Sequence, residues 1–100
     1  ILVLSNMGEM GESAEKYHCL VGQCIKQSSI KHIFLFGDES LIQFIKEEAG
    51  EKAQTYQKKS MLIAEVKRLL SVIDSDTLML VKGSNANKMG EVIKACFPKL

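Results

Sequence analysis

Short apolar runs alternate along the chain with segments in which apolar residues recur every three or four positions. The runs Ile1–Leu4, Lys31–Phe36 and Thr77–Val81 predict buried β-strands. Thr77–Val81 is apolar or β-branched throughout, which is typical of a strand covered on both faces in a parallel sheet. Ala53–Tyr56 is short and weakly patterned, and it predicts an edge strand.

The segments between these runs predict four amphipathic helices. Their apolar positions are Tyr17, Leu20, Val21, Cys24 and Ile25, then Leu41, Phe44, Ile45 and Ala49, then Leu62, Val66, Leu69 and Leu70, and finally Met89, Val92, Ile93, Cys96 and Phe97. Strands that alternate with helices imply right-handed crossovers and parallel pairing. The sequence therefore predicts one three-layer α/β domain over residues 1–100, with a mostly parallel sheet of four to five strands.

The composition and charge of the chain limit the kinds of partner and cellular setting that can be expected for it. The 100 residues are 46% hydrophobic and 25% charged with a formal net charge of +1, which favours neither nucleic acid nor an anionic membrane as partner. No apolar run is long enough to insert into a membrane. Three cysteines without a disulfide or zinc spacing indicate a cytoplasmic setting, and Cys24 and Cys96 are predicted to be buried. Because the chain opens on Ile1 within a predicted strand, we expect it to be a piece of a longer protein.

Two strand-to-helix turns are candidates for a binding site. They are Ser5–Gly11 and Lys82–Asn87, and both follow predicted parallel strands. The carboxyl ends of parallel strands meet at one edge of a sheet, where open α/β sheets bind their ligands. We therefore expect the two turns to line one cleft.

The first turn has two readings. Asn6-x-Gly8-x-x-Gly11 is a dinucleotide-binding fingerprint without its first glycine, and Asp38 follows the second strand where a ribose-binding acid would stand. Glu9 would place a carboxylate near a pyrophosphate, which argues against that ligand. The alternative is an ordinary glycine-rich turn.

The second turn also leaves two interpretations open. Lys82-Gly83-Ser84 is not a phosphate-binding P-loop, because G-x-x-x-x-G-K-[ST] occurs nowhere in the chain. Lys82 could still bind a phosphate or a carboxylate as a point charge, or simply extend into solvent.

Neither histidine completes a catalytic constellation. His18 lies just off the apolar stripe of the first helix, and His32 begins a strand. Both positions favour a structural, hydrogen-bonded role over a general base, and no serine–histidine–acid order is present.

Two stretches carry a resemblance to a known family. Val3–His18, V-L-S-N-M-G-E-M-G-E-S-A-E-K-Y-H, resembles the V-L-G-D-M-x-E-L-G stretch and following histidine of the Mur ligases. Leu78–Met89, L-M-L-V-K-G-S-N-A-N-K-M, is similar to their V-L-V-K-G-S-R stretch, and Ile30–Asp38 looks like their second strand. The order and spacing cover essentially all of the chain.

The resemblance implies the Rossmann-like C-terminal domain of a three-domain, ADP-forming ligase, closest to the branch that adds D-alanyl-D-alanine to the UDP-N-acetylmuramoyl-tripeptide precursor of peptidoglycan. In that family this domain closes over the site and helps to bind the incoming dipeptide. ATP and magnesium are bound mainly by the central domain, so the isolated domain is expected to be inactive. The partners implied are the UDP-muramoyl peptide, the dipeptide and ATP.

The resemblance also assigns roles to individual positions. Substrate binding is implied for Lys82, Ser84, Asn85 and Asn6; loop shaping for Met7, Glu9, Gly11 and Gly83; and a further role for His18 and Lys88. No catalytic residue or metal ligand is implied.

The chain departs from the family pattern at three of its motif positions. Asn6 replaces an aspartate and Ser5 a glycine, while Asn85 replaces an arginine that could clamp a carboxylate or phosphate. Lys88 stands one turn further on and could partly compensate. The alternatives are the same domain of a related amino-acid-adding or folylpolyglutamate ligase, and a free-standing Rossmann-like nucleotide-binding module.

Overall fold

Strands and helices alternate through the chain as predicted. The computed structural model describes residues 1–8, 11–73, 76–83 and 85–99. The strands and helices are β1 (Leu2–Ser5), α1 (Ala14–Gln27), β2 (Ile33–Phe36), α2 (Glu39–Ala49), β3 (Ala53–Tyr56), α3 (Lys59–Leu70), β4 (Leu80–Lys82) and α4 (Gly90–Cys96). Short 3-10 turns occupy Gly11–Ser13, Gly50–Lys52 and Asn85–Asn87. No helix within the described ranges has the length and apolar character needed to cross a membrane.

The four strands form one parallel sheet in the order β3-β2-β1-β4. Successive crossovers run from β1 to β2 and on to β3, and the third crossover then passes to the other side of β1. The strand order therefore reverses between β1 and β4. In open α/β sheets, ligands bind outside the carboxyl ends of the strands at such a point.

Two apolar layers cover the sheet, as the α/β prediction requires. Along β1, Leu2 packs with α1 and α2 while Val3 packs with α3 and α4, since successive side chains of a strand point to opposite faces. The first layer includes Leu2, Ile25, Ile33, Leu35, Ile42, Ile45, Ala49 and Ala53, and the second Val3, Phe34, Leu62, Val66, Leu69, Met89 and Val92. The α/β fold prediction is confirmed, including the edge position of β3.

The prediction for the last strand was wrong in extent and in burial. β4 covers only Leu80–Lys82, so Thr77–Met79 lie outside it. Leu78 is 83% exposed and Leu80 is 52% exposed. Val81 packs on the face covered by α3 and α4, whereas Leu80 lies on the opposite face, where its side chain is exposed.

The predicted apolar stripe of α1 was also displaced. Tyr17, Leu20 and Cys24 are exposed, whereas His18 and Gly22 are buried with Ile25. A β-carbon at Gly22 would lie 2.6 Å from the backbone oxygen of Ile45, so α2 approaches α1 at this glycine. The buried face of α1 therefore runs through His18, Gly22 and Ile25, and Val21 is partly buried beside it. The prediction that Cys24 is buried is wrong, and Cys96 is half-buried.

Candidate functional site

Asn6 joins the loops that follow three of the four strands. It is buried and comes directly after β1. Its side-chain oxygen accepts a hydrogen bond from the backbone N–H of Asp38 at 2.9 Å and another from Nδ2 of Asn87 at 2.9 Å. A backbone N–H requires an acceptor, so the bond from Asp38 fixes which end of the Asn6 amide faces it. The carboxyl edge therefore contains a bonded cluster at the point where the strand order reverses.

Two glycines allow the backbone to approach this cluster. A β-carbon at Gly37 would lie 2.1 Å from Oδ1 of Asn6, and the residue has a φ of +143°. A β-carbon at Gly83 would lie 1.7 Å from Oγ of Ser5 and 3.0 Å from Cγ of Met89. Any larger side chain would separate the loops that follow β2 and β4 from the end of β1.

His18 supports the turn that follows β1 by hydrogen bonding to it. It is fully buried, its Nε2 accepts from the backbone N–H of Met7 at 3.1 Å, and its Nδ1 lies 2.6 Å from the carbonyl oxygen of Ala14. Both bonds are satisfied together only when Nδ1 carries the proton and donates it. The ring is thus committed to the turn, in agreement with the structural reading of this histidine.

Asp38 caps α2. Its Oδ1 accepts from the backbone N–H of Ser40 at 3.0 Å and from the hydroxyl of Ser40 at 2.7 Å. The bond from the Ser40 hydroxyl is the largest cause that lowers the pKa of the Asp38 carboxyl below its ordinary value of 3.8, and the bond from the Ser40 N–H is the second. The Asp38 carboxylate is thus engaged in capping α2. The dinucleotide-binding interpretation would instead require this carboxylate to bind a ribose.

Lys59 lies beside the cluster, and sequence reasoning missed it. Its Nζ donates to the backbone oxygen of Lys88 at 3.2 Å and to Oε1 of Glu91 at 3.1 Å, and it lies 5.7 Å from the centre of the Phe36 ring. In the sequence, Lys59 belongs to a short basic pair, Lys58-Lys59, and such a pair is typical of a solvated helix face. Its contacts depend on the packing of the start of α3 against the turn after β4, and the sequence pattern does not reveal this packing.

The other predicted residues that the structure describes include Lys82, Lys88 and Gly11. Lys82 is exposed at the end of β4, and Lys88 is exposed with a φ of +46°. Gly11 begins the 3-10 turn that leads into α1. Glu9 and Ser84 lie outside the described residues, and so does the side chain of Asn85.

Metal-binding side chains do not form a cluster among the described residues. No group of three or more histidine, cysteine, aspartate or glutamate side chains there could hold a metal ion. Desolvation is the main cause that raises the pKa of the Cys19 and Cys96 thiols, which favours the protonated form over the nucleophilic thiolate.

Comparison with known proteins supports the resemblance seen in the sequence. No family model matches the chain. A UDP-N-acetylmuramoyl-tripeptide–D-alanyl-D-alanine ligase from Buchnera aphidicola subsp. Acyrthosiphon pisum (strain APS) is 32% identical over 94 residues, which are 94% of this chain and 20% of that protein. The crystal structure of MurF from Acinetobacter baumannii matches with a TM-score of 0.81 and 22% identity, over 98% of this chain and 22% of that one. The chain thus spans about a fifth of the length of these proteins, and the predicted resemblance is confirmed.

Proposed function

We propose, from its similarity to the Mur ligases, that this chain is the C-terminal domain of such an enzyme. The full-length protein would be the ADP-forming ligase that joins D-alanyl-D-alanine to the UDP-N-acetylmuramoyl-tripeptide precursor of peptidoglycan in the cytoplasm. The 32% identity to a ligase of that name supports this assignment. The domain would close over the site and help to bind the dipeptide.

One contact carries the proposal. The two stretches that resemble the family motifs, Val3–His18 and Leu78–Met89, meet through the bond between Asn6 and Asn87. This bond lies at the carboxyl edge where β1 and β4 adjoin, which is the expected ligand position in such a sheet. The two stretches, matched separately along the sequence, thus meet in one structural cluster.

The chemistry of this edge suits a carboxylate-bearing acceptor. Amide formation through an acyl phosphate develops negative charge on oxygen atoms, and fixed cations and N–H groups stabilise such charge. Lys82 is exposed at the end of β4. We propose that the Lys82 ammonium binds the carboxylate of the dipeptide.

ATP and magnesium are assigned to another part of the longer protein. The chain has no P-loop sequence, and its described residues contain no cluster of metal ligands. The contribution of this chain would be to bind and orient the acceptor. Bound magnesium and the nucleotide would supply phosphoryl activation from the facing domain.

A free-standing nucleotide-binding module is the second candidate. Dinucleotide loops use free backbone N–H groups to hold a pyrophosphate. Here the N–H of Met7, in the turn after β1, already donates to His18. Its engagement disfavours this candidate.

Calorimetric titration separates the two candidates. The chain is titrated with D-alanyl-D-alanine, ATP and NAD, and the dipeptide is expected to bind in preference to NAD. Lys82→Ala should weaken dipeptide binding, whereas Lys94→Ala, which removes an exposed lysine from α4, should not. Tight binding of NAD, or robust ATP hydrolysis by the 100-residue chain, would overturn the proposal.

A further inference from the structure

We infer that Lys59 is a positioning residue that holds residues 85–89 against the carboxyl edge of the sheet. It stands at the first position of α3, directly after the loop that follows β3. Through it, the start of α3 contacts the turn that follows β4, although the two are 29 residues apart. The effect on acceptor binding rests on the proposed function, but the positioning itself can be measured on this chain alone.

The Lys59 ammonium is committed to these contacts. Two acceptors lie within hydrogen-bond distance, the carbonyl oxygen of Lys88 at 3.2 Å and Oε1 of Glu91 at 3.1 Å. The face of Phe36 lies 5.7 Å away, within the range of a cation–π interaction. The lysine side chain is only 20% exposed. An ammonium held in this way acts on a ligand through the turn and does not bind the ligand itself.

The turn has a backbone that requires such support. Lys88 has a φ of +46°, in the left-handed region that residues with a β-carbon seldom occupy. The bond from Lys59 restrains its carbonyl group, and the preceding residue, Asn87, donates to Asn6. Loss of Lys59 should therefore release the turn and weaken the bond between Asn87 and Asn6, next to the segment that carries Lys82.

Hydrogen exchange and NMR test this directly. In Lys59→Met, the Asn87 side-chain NH₂ signals should shift, and the backbone N–H of Asp38 should exchange about tenfold faster, since losing a charge-assisted bond changes a local opening equilibrium by roughly this factor. Amides in the centre of β1 and β2 should keep their rates. A general loss of stability would instead raise all of these rates together.

Three further variants make the result specific to this position. Lys67→Met removes an exposed lysine from the same helix and should leave Asn87 and Asp38 unchanged. Lys59→Arg, which keeps the charge and can stack on Phe36, should restore most of the wild-type signals. Glu91→Gln keeps an acceptor oxygen and should perturb Asn87 less than Lys59→Met does. Unchanged Asn87 signals and Asp38 exchange in Lys59→Met would overturn the inference.

Dipeptide titration keeps this inference separate from the proposed function. If the wild-type chain binds D-alanyl-D-alanine, Lys59→Met should weaken binding by about tenfold relative to Lys67→Met. The reason is the same release of the turn at residues 85–89 that speeds the exchange of the Asp38 N–H. Equal affinities of these two variants would count against Lys59. If the wild type does not bind the dipeptide, the proposed function fails there, and the exchange rates alone decide whether Lys59 positions the turn.

Discussion

The side-chain nitrogen of Asn87 lies 2.9 Å from the side-chain oxygen of Asn6, although 81 positions separate the two residues. The same oxygen receives the backbone N–H of Asp38. One acceptor thus connects the segments that follow β1, β2 and β4. Its removal would take the acceptor from the Asp38 N–H and break the hydrogen bond from Asn87, both at partly buried positions.

Asn6→Ala is expected to lower the free energy of unfolding by about 1–3 kcal/mol, because it removes the acceptor of the partly buried Asp38 N–H and the hydrogen bond from Asn87. Asn6→Asp should retain most of the stability, because a carboxylate oxygen can accept both bonds. Urea denaturation of the two variants provides the measurement. A stable alanine variant beside a destabilised aspartate variant would contradict this account of the cluster.

His18→Leu is expected to cost about 1–3 kcal/mol, because it removes the acceptor for the Met7 N–H and the donor to Ala14. His18→Gln can still place an oxygen near Met7 and should lose less. The ¹⁵N–¹H signal of Met7 should move further in the leucine variant than in the glutamine variant. Identical Met7 signals in both would show that the ring does not support this turn.

Stability should depend on pH through Asp38. Its carboxyl has a lowered pKa in the folded chain, so the ionised form favours folding above the ordinary value of 3.8, and that contribution is lost as the pH falls through the folded pKa. The stability difference between wild type and Asp38→Asn should be constant above about pH 5 and shrink at lower pH. Denaturation across this range measures it. Ser40→Ala removes the largest cause of the shift and should reduce the pH dependence.

Gly83→Ala is expected to destabilise the chain by about 1–3 kcal/mol through overpacking against Ser5 and Met89. Gly90→Ala is the matched control, because its added β-carbon meets no atom within 4 Å and it lies at the start of α4. Thermal unfolding should separate the two variants. Equal melting temperatures would mean that β4 can move away from β1 at no cost.

Local periodicity was sufficient to predict the elements and the parallel sheet. Ile33–Phe36 and Ala53–Tyr56 form strands where their patterns predicted them. Sequence pattern could not give the position of β4 in the sheet order, so Leu80 was predicted to be buried. An apolar run records a preference for burial, but the neighbouring elements decide how much of it is covered.

The candidate site was only partly predictable for a related reason. Asn6 and Gly83 lie in turns that the topology brings to one edge, and that much follows from parallel pairing. The contacts of Lys59 depend on the packing of α3 beside the turn that precedes α4. The spacing of residues in the sequence does not predict such a contact. A lysine at the start of a helix cannot be told from a solvated lysine by sequence pattern.

The position of β4 next to β1 sets an order of events for folding. The first strand has its partner on one side once Ile33–Phe36 are available, but its other side is closed only by Leu80–Lys82. During synthesis from the N-terminus, most of the domain emerges while one edge of its central strand is still unpaired. Unpaired strand edges are templates for intermolecular association. Nascent or truncated chains that end before residue 80 are therefore the species most prone to aggregate.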